Sequence, residues 1–468
     1  MQNFASQANA SQLGPLIPSP LALMAIATPP IPAPPSLLTQ SPYQSYVYSY
    51  PHKMTYRPFP DRPLSEIWAH EDCASLFLYI HIPLCEMRCG FCNLFTTVNH
   101  NEAFADQYIQ TLQRQAHRVK AALNAPQFAR LAIGGGTPTH LPIAALEAVL
   151  NIAETTMGAN LKTIPFSVEV SPATATSEKL RLLRSRGTTR ISIGVQSFID
   201  SEILATQRRQ TSTEVQAALT RIRAFDFPIL NLDLIYGLPG QTVNTWLQSI
   251  RTALTFQPEE IYLYPLYVRP LTGLGCSKHE WDDQRLTCYR AGRDLLLAEG
   301  YTQVSMRMFR ANQGGDNPGP VYCCQADGMV GLGCGARSYT KALHYSNDYA
   351  VDAKAVRSIL DRYLTQPDAA FEVANYGYQL DLDDQKRRFI LLSLLSEEGL
   401  NTQHYCDRFG THCIEDVPEL QQLILWNLAM QNTTQLYLTP SGIERSDAIG
   451  PWLFSEAVQQ RINLYQWQ

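Results

Sequence analysis

The chain has 468 residues and a net charge of −5, with 45% hydrophobic and 17% charged residues. This is the composition of a globular protein of two or three domains, and it excludes collagen-like, coiled-coil and wholly disordered chains. The negative charge argues against a protein that binds nucleic acid by neutralising phosphates. No run of 18 uninterrupted apolar residues occurs, so we expect no membrane span.

The first 50 residues differ from the rest of the chain, because they contain no charged residue and nine of the 30 prolines. Repeated proline opposes helix and sheet pairing, so residues 1–50 are predicted to form a disordered, proline-rich arm, with a docking segment as the alternative. The apolar run at 16–27 contains two prolines and follows no basic residue, unlike a secretory signal. A tyrosine-rich patch at 43–56 is expected to pack onto the folded body, because exposed aromatic side chains are costly.

From about residue 75 the pattern alternates between short apolar strands and amphipathic helices. Six strands are predicted, at 76–82, 131–133, 166–170, 190–195, 229–236 and 261–264. Such alternation predicts a parallel sheet with right-handed crossovers, and six β/α units favour an open partial barrel over a closed eight-stranded one. Residues 51–375 are assigned to this domain, and its ligands are expected at the carboxyl ends of the strands.

The last section, 376–468, is predicted to be a separate helical domain. Helices at 385–395 and 420–430, followed by a short strand at 436–438, are typical of a winged-helix-like fold. Residues 378–468 carry twelve acidic and six basic side chains, a net charge of −6. This charge repels phosphate, so a lid or packing domain is favoured over a nucleic-acid-binding one.

Three of the 11 cysteines stand in one loop directly after the first strand, at Cys85, Cys89 and Cys92. Their spacing is Cys-x3-Cys-x2-Cys, and thiolates in such a group bind zinc or iron–sulfur clusters. A structural zinc site usually has four protein ligands, and this loop supplies no fourth. Three cysteines on a four-iron cluster leave one iron open, which indicates a reactive site rather than an electron relay.

With this loop the sequence resembles radical S-adenosylmethionine (SAM) enzymes, and over residues 70–468 the branch that contains oxygen-independent coproporphyrinogen III oxidase and the haem chaperone. The resemblance implies an α/β fold with a partial (β/α)6 radical SAM barrel. It also implies that Cys85, Cys89 and Cys92 bind three irons of a 4Fe–4S cluster, and that SAM chelates the fourth. One-electron cleavage of SAM would then yield a 5′-deoxyadenosyl radical that takes hydrogen from a substrate. A reduced flavodoxin- or ferredoxin-like donor and a cytoplasmic location are expected, since a reducing cytosol suits thiolate ligands.

Further motifs follow the cluster loop in the order that the resemblance requires. The run Gly-Gly-Gly-Thr-Pro-Thr at 134–139 lets backbone approach a ligand, and an acid at a strand end needs a partner such as a ribose hydroxyl. Taken singly, each of these residues would more often form a tight turn or a structural ion pair. No catalytic side chain beyond the cluster is predicted. The resemblance implies SAM contacts at Tyr79, Phe91, Gly135, Gly136, Thr137, Glu169, Gln196, Arg208, Asp233, Tyr267 and Arg337.

Two departures from the branch leave the substrate open. Leu94 stands where the oxidase has a fourth cysteine, and residues 344–350 lack the His-Asn and Tyr-Trp pairs of the haem chaperone. We therefore predict an oxidoreductase-like enzyme acting on an unidentified small-molecule or peptide substrate, with a tetrapyrrole or a peptide as the candidates. The alternatives are the oxidase of porphyrin biosynthesis itself, and a haem chaperone without turnover.

Several residues are candidates for the substrate end. Arg307 or Arg310 could present a cation to a carboxylate, or could be surface charges at a strand edge. Three cysteines could bind a second cluster, donate hydrogen, or be buried and inert, namely Cys323, Cys324 and Cys334. Three histidines without a recognisable partner are expected to be structural, namely His81, His279 and His344.

Overall fold

The computed structural model describes residues 36–98, 101–275, 283–312 and 328–466. Its strands in these ranges are β1 Arg57–Pro63, β2 Leu76–Ile82, β3 Leu84–Cys85, β4 Thr97–Val98, β5 Phe128–Gly135, β6 Phe166–Val170, β7 Arg190–Gln196, β8 Ile229–Tyr236, β9 Glu260–Pro265, β10 Tyr301–Gln303, β11 Met308–Ala311, β12 Met329–Leu332, β13 Arg337–Tyr339, β14 Leu343–Ser346, β15 Val373–Gln379, β16 Leu400–Asn401, β17 Ala429–Gln431 and β18 Gln435–Leu438.

The α-helices in the same ranges are α1 Ser36–Thr39, α2 Leu64–Ile67, α3 Glu102–Ala122, α4 Ile143–Asn151, α5 Ser177–Ser185, α6 Asp200–Ala205, α7 Ser212–Arg223, α8 Val243–Leu254, α9 Arg285–Ala298, α10 Ala353–Thr365, α11 Leu382–Leu394, α12 Thr402–Phe409, α13 Cys413–Asp416, α14 Glu419–Leu425, α15 Pro440–Ile443, α16 Ser446–Trp452 and α17 Glu456–Asn463. None of the helices in the described part is both long and apolar enough to cross a membrane.

A large mixed sheet dominates the fold, with strand order β1-β15-β14-β13-β12-β2-β5-β6-β7-β8-β9-β11-β10. Its centre, from β2 to β9 in that order, is entirely parallel. At least one helix follows each of these six strands, so the six predicted β/α units are confirmed. The sheet order is linear and ends at β1 and β10, so the barrel is open, as predicted. Strands of this kind are buried on both faces, and β8 accordingly buries Leu230, Leu232 and Leu234 completely.

The sequence pattern did not predict the strands that extend the sheet on both sides. Strand β12 pairs in parallel with β2, and β13, β14, β15 and β1 continue from it as antiparallel neighbours. On the other side β11 and β10 add an antiparallel edge to β9. These strands are short, three to seven residues, and therefore carry little periodic signal.

The C-terminal part forms a second core, with helices α11, α12 and α14 beside a small sheet of order β16-β18-β17. This arrangement confirms the winged-helix-like prediction. Residues 429 and 430 were expected at the end of a helix and lie in strand β17 instead. The reason is local, because Asn427 takes a left-handed φ of 56°, which ends α14 and lets the chain turn back against β18.

The tyrosine patch packs onto the folded body, as expected. Tyr43, Tyr50 and Tyr56 are buried, and we refer to residues 43–56 as the N-terminal segment. The Tyr50 hydroxyl donates to Asp384 Oδ1 at 2.8 Å and accepts the Ser455 backbone N–H at 3.2 Å. The packed chain therefore begins well before residue 50, the predicted end of the arm. Residues 1–35 of that arm lie outside the described residues.

Candidate active site

A cavity of about 540 Å³ lies at the carboxyl ends of the parallel strands. Every predicted cluster ligand and SAM contact lines it, although these residues come from segments spread between 79 and 337 of the chain. The set comprises Tyr79, Cys85, Cys89, Phe91, Cys92, Gly135, Gly136, Thr137, Glu169, Gln196, Arg208, Asp233, Tyr267 and Arg337. Residues chosen by their order in the sequence are thus brought to one place by the sheet, as the geometry of parallel strands requires.

The cysteine loop follows β2 and is held by three backbone hydrogen bonds. The Gly90 N–H donates to the Thr206 carbonyl at 2.7 Å, and the Leu274 N–H donates to the Gly90 carbonyl at 2.7 Å. Within the loop the Cys92 N–H donates to the Cys89 carbonyl at 3.0 Å. These bonds fix the orientation of the loop without using any thiol, so the sulfurs remain available as ligands.

The donor set fits an iron–sulfur cluster better than a single metal ion. Burial raises the pKa of Cys85 to about 12, and burial also raises the pKa of Cys92. In the described part of the chain, no three His, Cys, Asp or Glu side chains stand close enough together to hold one ion. A four-iron cluster is ligated at separate corners, so its thiolates stand farther apart than those of a mononuclear site. Three soft ligands facing one cavity therefore suit the larger group.

The glycine turn after β5 lies directly against the cysteine loop. The Gly136 N–H donates to the Ile82 carbonyl at 2.7 Å, and the Thr137 N–H donates to the Leu84 carbonyl at 2.8 Å. Gly135 has a φ of 113°, and a Cβ there would lie 2.5 Å from the His81 ring. A Cβ on Gly136 would lie 2.6 Å from the Leu84 carbonyl oxygen. Any side chain at these two positions would therefore displace the cavity wall.

Two carboxyl groups of the cavity lie on strands β6 and β8. Glu169 accepts the Gly135 N–H at 3.0 Å. Protein surrounds this side chain, but its carboxyl faces the cavity and remains accessible to water. Burial raises the pKa of Glu169 to about 7. Asp233 accepts the Asn231 side-chain amide at 2.8 Å, and burial raises its pKa to about 6. These oxygens can accept hydrogen bonds from hydroxyl or amino groups of a ligand.

Gln196 and Arg208 reach the cavity through irregular backbone. A bulge in β7 between Gly194 and Gln196 shifts the register against β8, and Gln196 takes a φ of 71°. Bulges turn a side chain toward a site in this way, and a non-glycine residue at positive φ stores strain. The Arg208 guanidinium donates to the Gly194 carbonyl at 2.7 Å and to Cys89 Sγ at 3.3 Å. This cation therefore lies beside one of the three thiols.

His81 was expected to be structural, yet it lines the cavity as well as supporting it. Its Nε2 contacts the Phe95 carbonyl at 2.9 Å, so Nε2 carries the proton and donates. Nδ1 then accepts the Tyr79 hydroxyl at 3.2 Å. Burial lowers the pKa of His81 to about 4, so the ring is neutral at physiological pH and holds Tyr79 in place.

The N-terminal segment forms a wall of the cavity, which the sequence prediction missed. Tyr46, Tyr48, His52 and Lys53 all line it, as does Arg269 from the loop after β9. Residues up to 50 had been assigned to an arm because of their prolines and lack of charge. The dense tyrosines at 43–56 were the available signal, since aromatic residues in such number need a surface to cover.

Two of the predicted SAM contacts, Tyr267 and Arg337, also interact with other residues. The Tyr267 hydroxyl donates to the Asp447 carboxylate of helix α16, so only its ring faces the cavity. The Arg337 guanidinium lies 4.6 Å from the Tyr48 ring centre, and its buried Nη1 has no hydrogen-bond partner among the described residues.

The other substrate-end candidates lie away from the cavity or outside the described residues. Arg307 is buried and ion-paired with Asp447, so it is neither a substrate-binding cation nor a surface charge. Arg310 contacts Glu260 at 3.4 Å. His344 is buried against Arg388 at 3.0 Å, which confirms a structural role. Cys334 is fully buried and does not line the cavity. Cys323, Cys324 and His279 lie outside the described residues.

Comparison with known proteins agrees with this architecture. Residues 79–253 match the model of the radical SAM superfamily. The haem chaperone HemW of Bacillus subtilis is 26% identical over 377 residues, which cover 78% of this chain and 95% of HemW. The oxygen-independent coproporphyrinogen III oxidase of Paracoccus denitrificans is 28% identical over 387 residues, 77% of this chain and 82% of the oxidase.

The solved structure of the coproporphyrinogen III oxidase HemN of Escherichia coli has the same fold. The two superpose with a TM-score of 0.75 over 90% of this chain and 98% of HemN, at 22% sequence identity. The superfamily match spans the cysteine loop, the glycine turn and strands β6 to β8. Residues 79–253 thus match the radical SAM superfamily, and over most of its length the chain is similar to oxygen-independent coproporphyrinogen III oxidases and to the haem chaperone HemW.

Proposed function

We propose that this radical SAM enzyme binds a 4Fe–4S cluster through Cys85, Cys89 and Cys92 and binds SAM beside the cluster in the same cavity. When bound, the two groups supply one-electron chemistry that ends in hydrogen abstraction from a substrate. The observation that carries the proposal is the meeting of all fourteen predicted residues in one cavity at the carboxyl ends of the strands. Chance would scatter such residues over the surface and core.

The residues around the thiols are suited to stabilise them as thiolates. Arg208 donates to the Cys89 sulfur at 3.3 Å, and the Thr137 hydroxyl lies 3.8 Å from the Cys85 sulfur as a donor. Both contacts can stabilise a thiolate, and the one from Thr137 opposes the effect of burial on the pKa of Cys85. Arg208 would also offer a cation to the methionine carboxylate of SAM.

The remaining pocket residues divide between polar and apolar contacts to SAM. Glu169 and Asp233 offer carboxyl oxygens to the amino and ribose hydroxyl groups, and the turn at Gly135 brings backbone close to the ligand. Tyr79 and Phe91 supply aromatic surface beside the cluster loop, and Gln196 projects from the bulge. Such enclosure limits the access of solvent to the reacting groups and confines a reactive intermediate.

An anaerobic assay tests the proposal. The full chain is reconstituted with iron and sulfide, reduced and given SAM, and 5′-deoxyadenosine is measured. We expect the unsubstituted protein to form it, and a Cys89→Ser variant to lose cluster iron and at least about a hundredfold of the activity. Cys406→Ser is the matched control, because Cys406 lies in the C-terminal domain and does not line the cavity. A Cys89→Ser protein with a full cluster and full activity would refute the ligand assignment.

Two alternatives within the branch remain open to the same preparation. Similarity to HemW over 78% of this chain supports a haem chaperone, and the relatives named coproporphyrinogen III oxidase support that activity. Stoichiometric haem capture without SAM cleavage would favour the chaperone. Supplying coproporphyrinogen III and finding its decarboxylated product would identify the oxidase. Comparing chemical reduction with a reduced flavodoxin or ferredoxin tests the proposed electron donor.

A further inference from the structure

The cavity has a separation of charge that the cofactors alone do not require. Glu169 and Asp233 lie on the central strands β6 and β8, whereas Lys53, Arg269 and Arg337 come from the N-terminal segment, the loop after β9 and strand β13. A third acid in the lining, Glu86, is held on the strand side by the Ser171 hydroxyl at 3.0 Å. The chain as a whole is acidic, with a net charge of −5, so this local group of cations is unusual.

Among the described residues, the three cations have no carboxylate partner. No carboxylate in the described part of the chain forms an ion pair with Lys53, Arg269 or Arg337. Arg269 Nε and Arg337 Nη1 are buried without a hydrogen-bond partner. By contrast Arg190, which carries a neighbouring positive charge in the barrel, is paired with Glu260 at 2.7 Å. Buried donors without partners are costly, so their retention in a cavity wall points to a ligand.

Each cation rests instead on an aromatic ring. The distances to the ring centres are 3.4 Å for Lys53 over Tyr349, 4.7 Å for Arg269 over Tyr267 and 4.6 Å for Arg337 over Tyr48. Such contacts hold the charged heads in position without neutralising them. The result is a preorganised group of donors set in an aromatic surface.

The cations also lie close enough to affect one another. Burial, followed by the positive charge of Arg337, holds the pKa of Lys53 well below its ordinary value; the nearby Cys92 acts in the opposite direction, and Arg269 acts in the same direction as Arg337. The pKa of His52 is lowered by burial and by Lys53, Arg337 and Arg269. Gathering like charges in an enclosed space is unfavourable, and an anionic ligand would offset that cost.

We propose that Lys53, Arg269 and Arg337 form a subsite for a carboxylate of the substrate, in the same cavity that the predicted SAM contacts line. This inference rests on the proposed function and names the substrate class of that same site. Arginine forks match the planar geometry of a carboxylate, and the tyrosine rings beside them suit an apolar or aromatic body. Arg337, predicted from the sequence as a SAM contact, is reassigned to the substrate, because Arg208 already stands beside the cluster for the SAM carboxylate.

The experiment compares acids with their uncharged counterparts on the cluster-loaded full chain with SAM, under anaerobic conditions. One pair of probes is coproporphyrin III and its tetramethyl ester, followed by porphyrin absorbance. The other is acetyl-glycyl-phenylalanine and its C-terminal amide, followed by calorimetry. We expect the acid of at least one pair to bind about tenfold or more tightly than its neutral counterpart, and the pair that responds identifies a tetrapyrrole or a peptide source.

Variants assign the effect to the subsite. Lys53→Met and Arg269→Met should each weaken binding of the acid about tenfold and leave the neutral probe unchanged, and Lys53→Arg should restore the acid. Lys354→Met is the matched control, because Lys354 is an exposed lysine of α10 outside the cavity. Equal binding of acid and neutral probe by the unsubstituted protein would overturn the proposal, even if a variant failed to fold. Equal weakening of both probes by the variants would also overturn it.

Failure of this inference is distinguishable from failure of the proposed function. Each preparation is also assayed for 5′-deoxyadenosine without any probe, a reaction that needs the cluster and SAM but no substrate carboxylate. Formation of 5′-deoxyadenosine with no preference for the acids removes the subsite and keeps the proposed function. Absence of 5′-deoxyadenosine from a fully loaded protein removes both.

Discussion

At the scale of single residues, enclosure sets the chemistry of the acids in the cavity. Burial raises the pKa of Glu169 to about 7 and that of Asp233 to about 6, because few nearby charges replace the lost solvent. A carboxyl that titrates near neutral pH can donate as well as accept a hydrogen bond, depending on its ligand. The protonation state of both acids therefore depends on the ligand that binds beside them.

The first prediction concerns Glu169 in the ligand-free protein. Its pKa rises from 4.5 unfolded to about 7 folded, so the folded protein binds more protons between these values. The stability that Glu169 contributes is full below pH 4.5 and is lost as pH rises through about 7. Glu169→Gln should therefore reduce the fall in the free energy of unfolding between pH 5 and pH 8 by about 1 kcal/mol, a figure discounted because water reaches the carboxyl.

Urea titrations at the two pH values measure this effect. Glu398→Gln is a suitable control, because Glu398 is exposed and far from the cavity lining. If Glu169→Gln and the parent protein lost the same stability between pH 5 and pH 8, the pKa assigned to Glu169 would be wrong.

At the scale of elements, the connections after the strands decide the shape of the site more than the strands do. The turn after β5 and the bulge in β7 each place backbone in a conformation that ordinary residues avoid, at Gly135 and Gln196. The turn is also tied to the cysteine loop by the bonds from Gly136 and Thr137. A change in the glycine turn should therefore also shift the cysteine loop.

The second prediction is that Gly135→Ala disrupts the SAM pocket. The variant meets both a φ of 113° and a contact of 2.5 Å with the His81 ring. Gly300→Ala is the matched control, with a φ of 83° and nothing within 4 Å of the added Cβ. We expect the control to cost about 1 kcal/mol from backbone strain alone, and Gly135→Ala to cost about 2 kcal/mol more from the clash.

Equilibrium dialysis of SAM gives the functional readout for the same pair. Affinity should fall more than about tenfold in Gly135→Ala and stay unchanged in Gly300→Ala. Equal affinities in the two variants would mean that the turn does not contact SAM.

At the scale of the whole molecule, the N-terminal segment lines the cavity and also contacts the C-terminal domain. Asp447 of α16 pairs with Arg307 beside β11, accepts the Tyr267 hydroxyl, and through its carbonyl accepts the Ser45 N–H at 3.0 Å. The Arg307 guanidinium also lies 3.8 Å from the Tyr46 ring centre. One buried ion pair thus joins the barrel, the wall and the second domain.

The third prediction is that Arg307→Met destabilises the protein by about 3–5 kcal/mol, because it leaves Asp447 buried without its cation. Both side chains are almost fully buried, 5% and 2% exposed. Arg307→Lys should cost less, since it keeps the charge. Arg310→Met, at a half-exposed arginine that contacts Glu260 at 3.4 Å, should cost less than about 1 kcal/mol.

Urea unfolding followed by tryptophan fluorescence compares these variants. A loss of less than 1 kcal/mol in Arg307→Met would show that the pair does not hold the C-terminal domain in place.

The sequence by itself determined the parts of this protein that depend on local pattern. Alternating apolar strands and helices predicted six β/α units, and the spacing of Cys85, Cys89 and Cys92 predicted the chemistry of one loop. The order of motifs predicted residues such as Glu169 and Asp233, which line one cavity. These features follow from neighbours a few residues apart, which a linear pattern records.

Only the tertiary structure decided which distant groups meet. From the sequence, Arg307 was a candidate for a substrate-binding cation or a surface charge. In the structure it forms an ion pair with Asp447, 140 residues away. Lys53, which follows the predicted arm at 1–50, lines the cavity with Arg269 and Arg337. Whether a charge is paired or free depends on packing between segments far apart in the chain, and residue order alone carries no record of that packing.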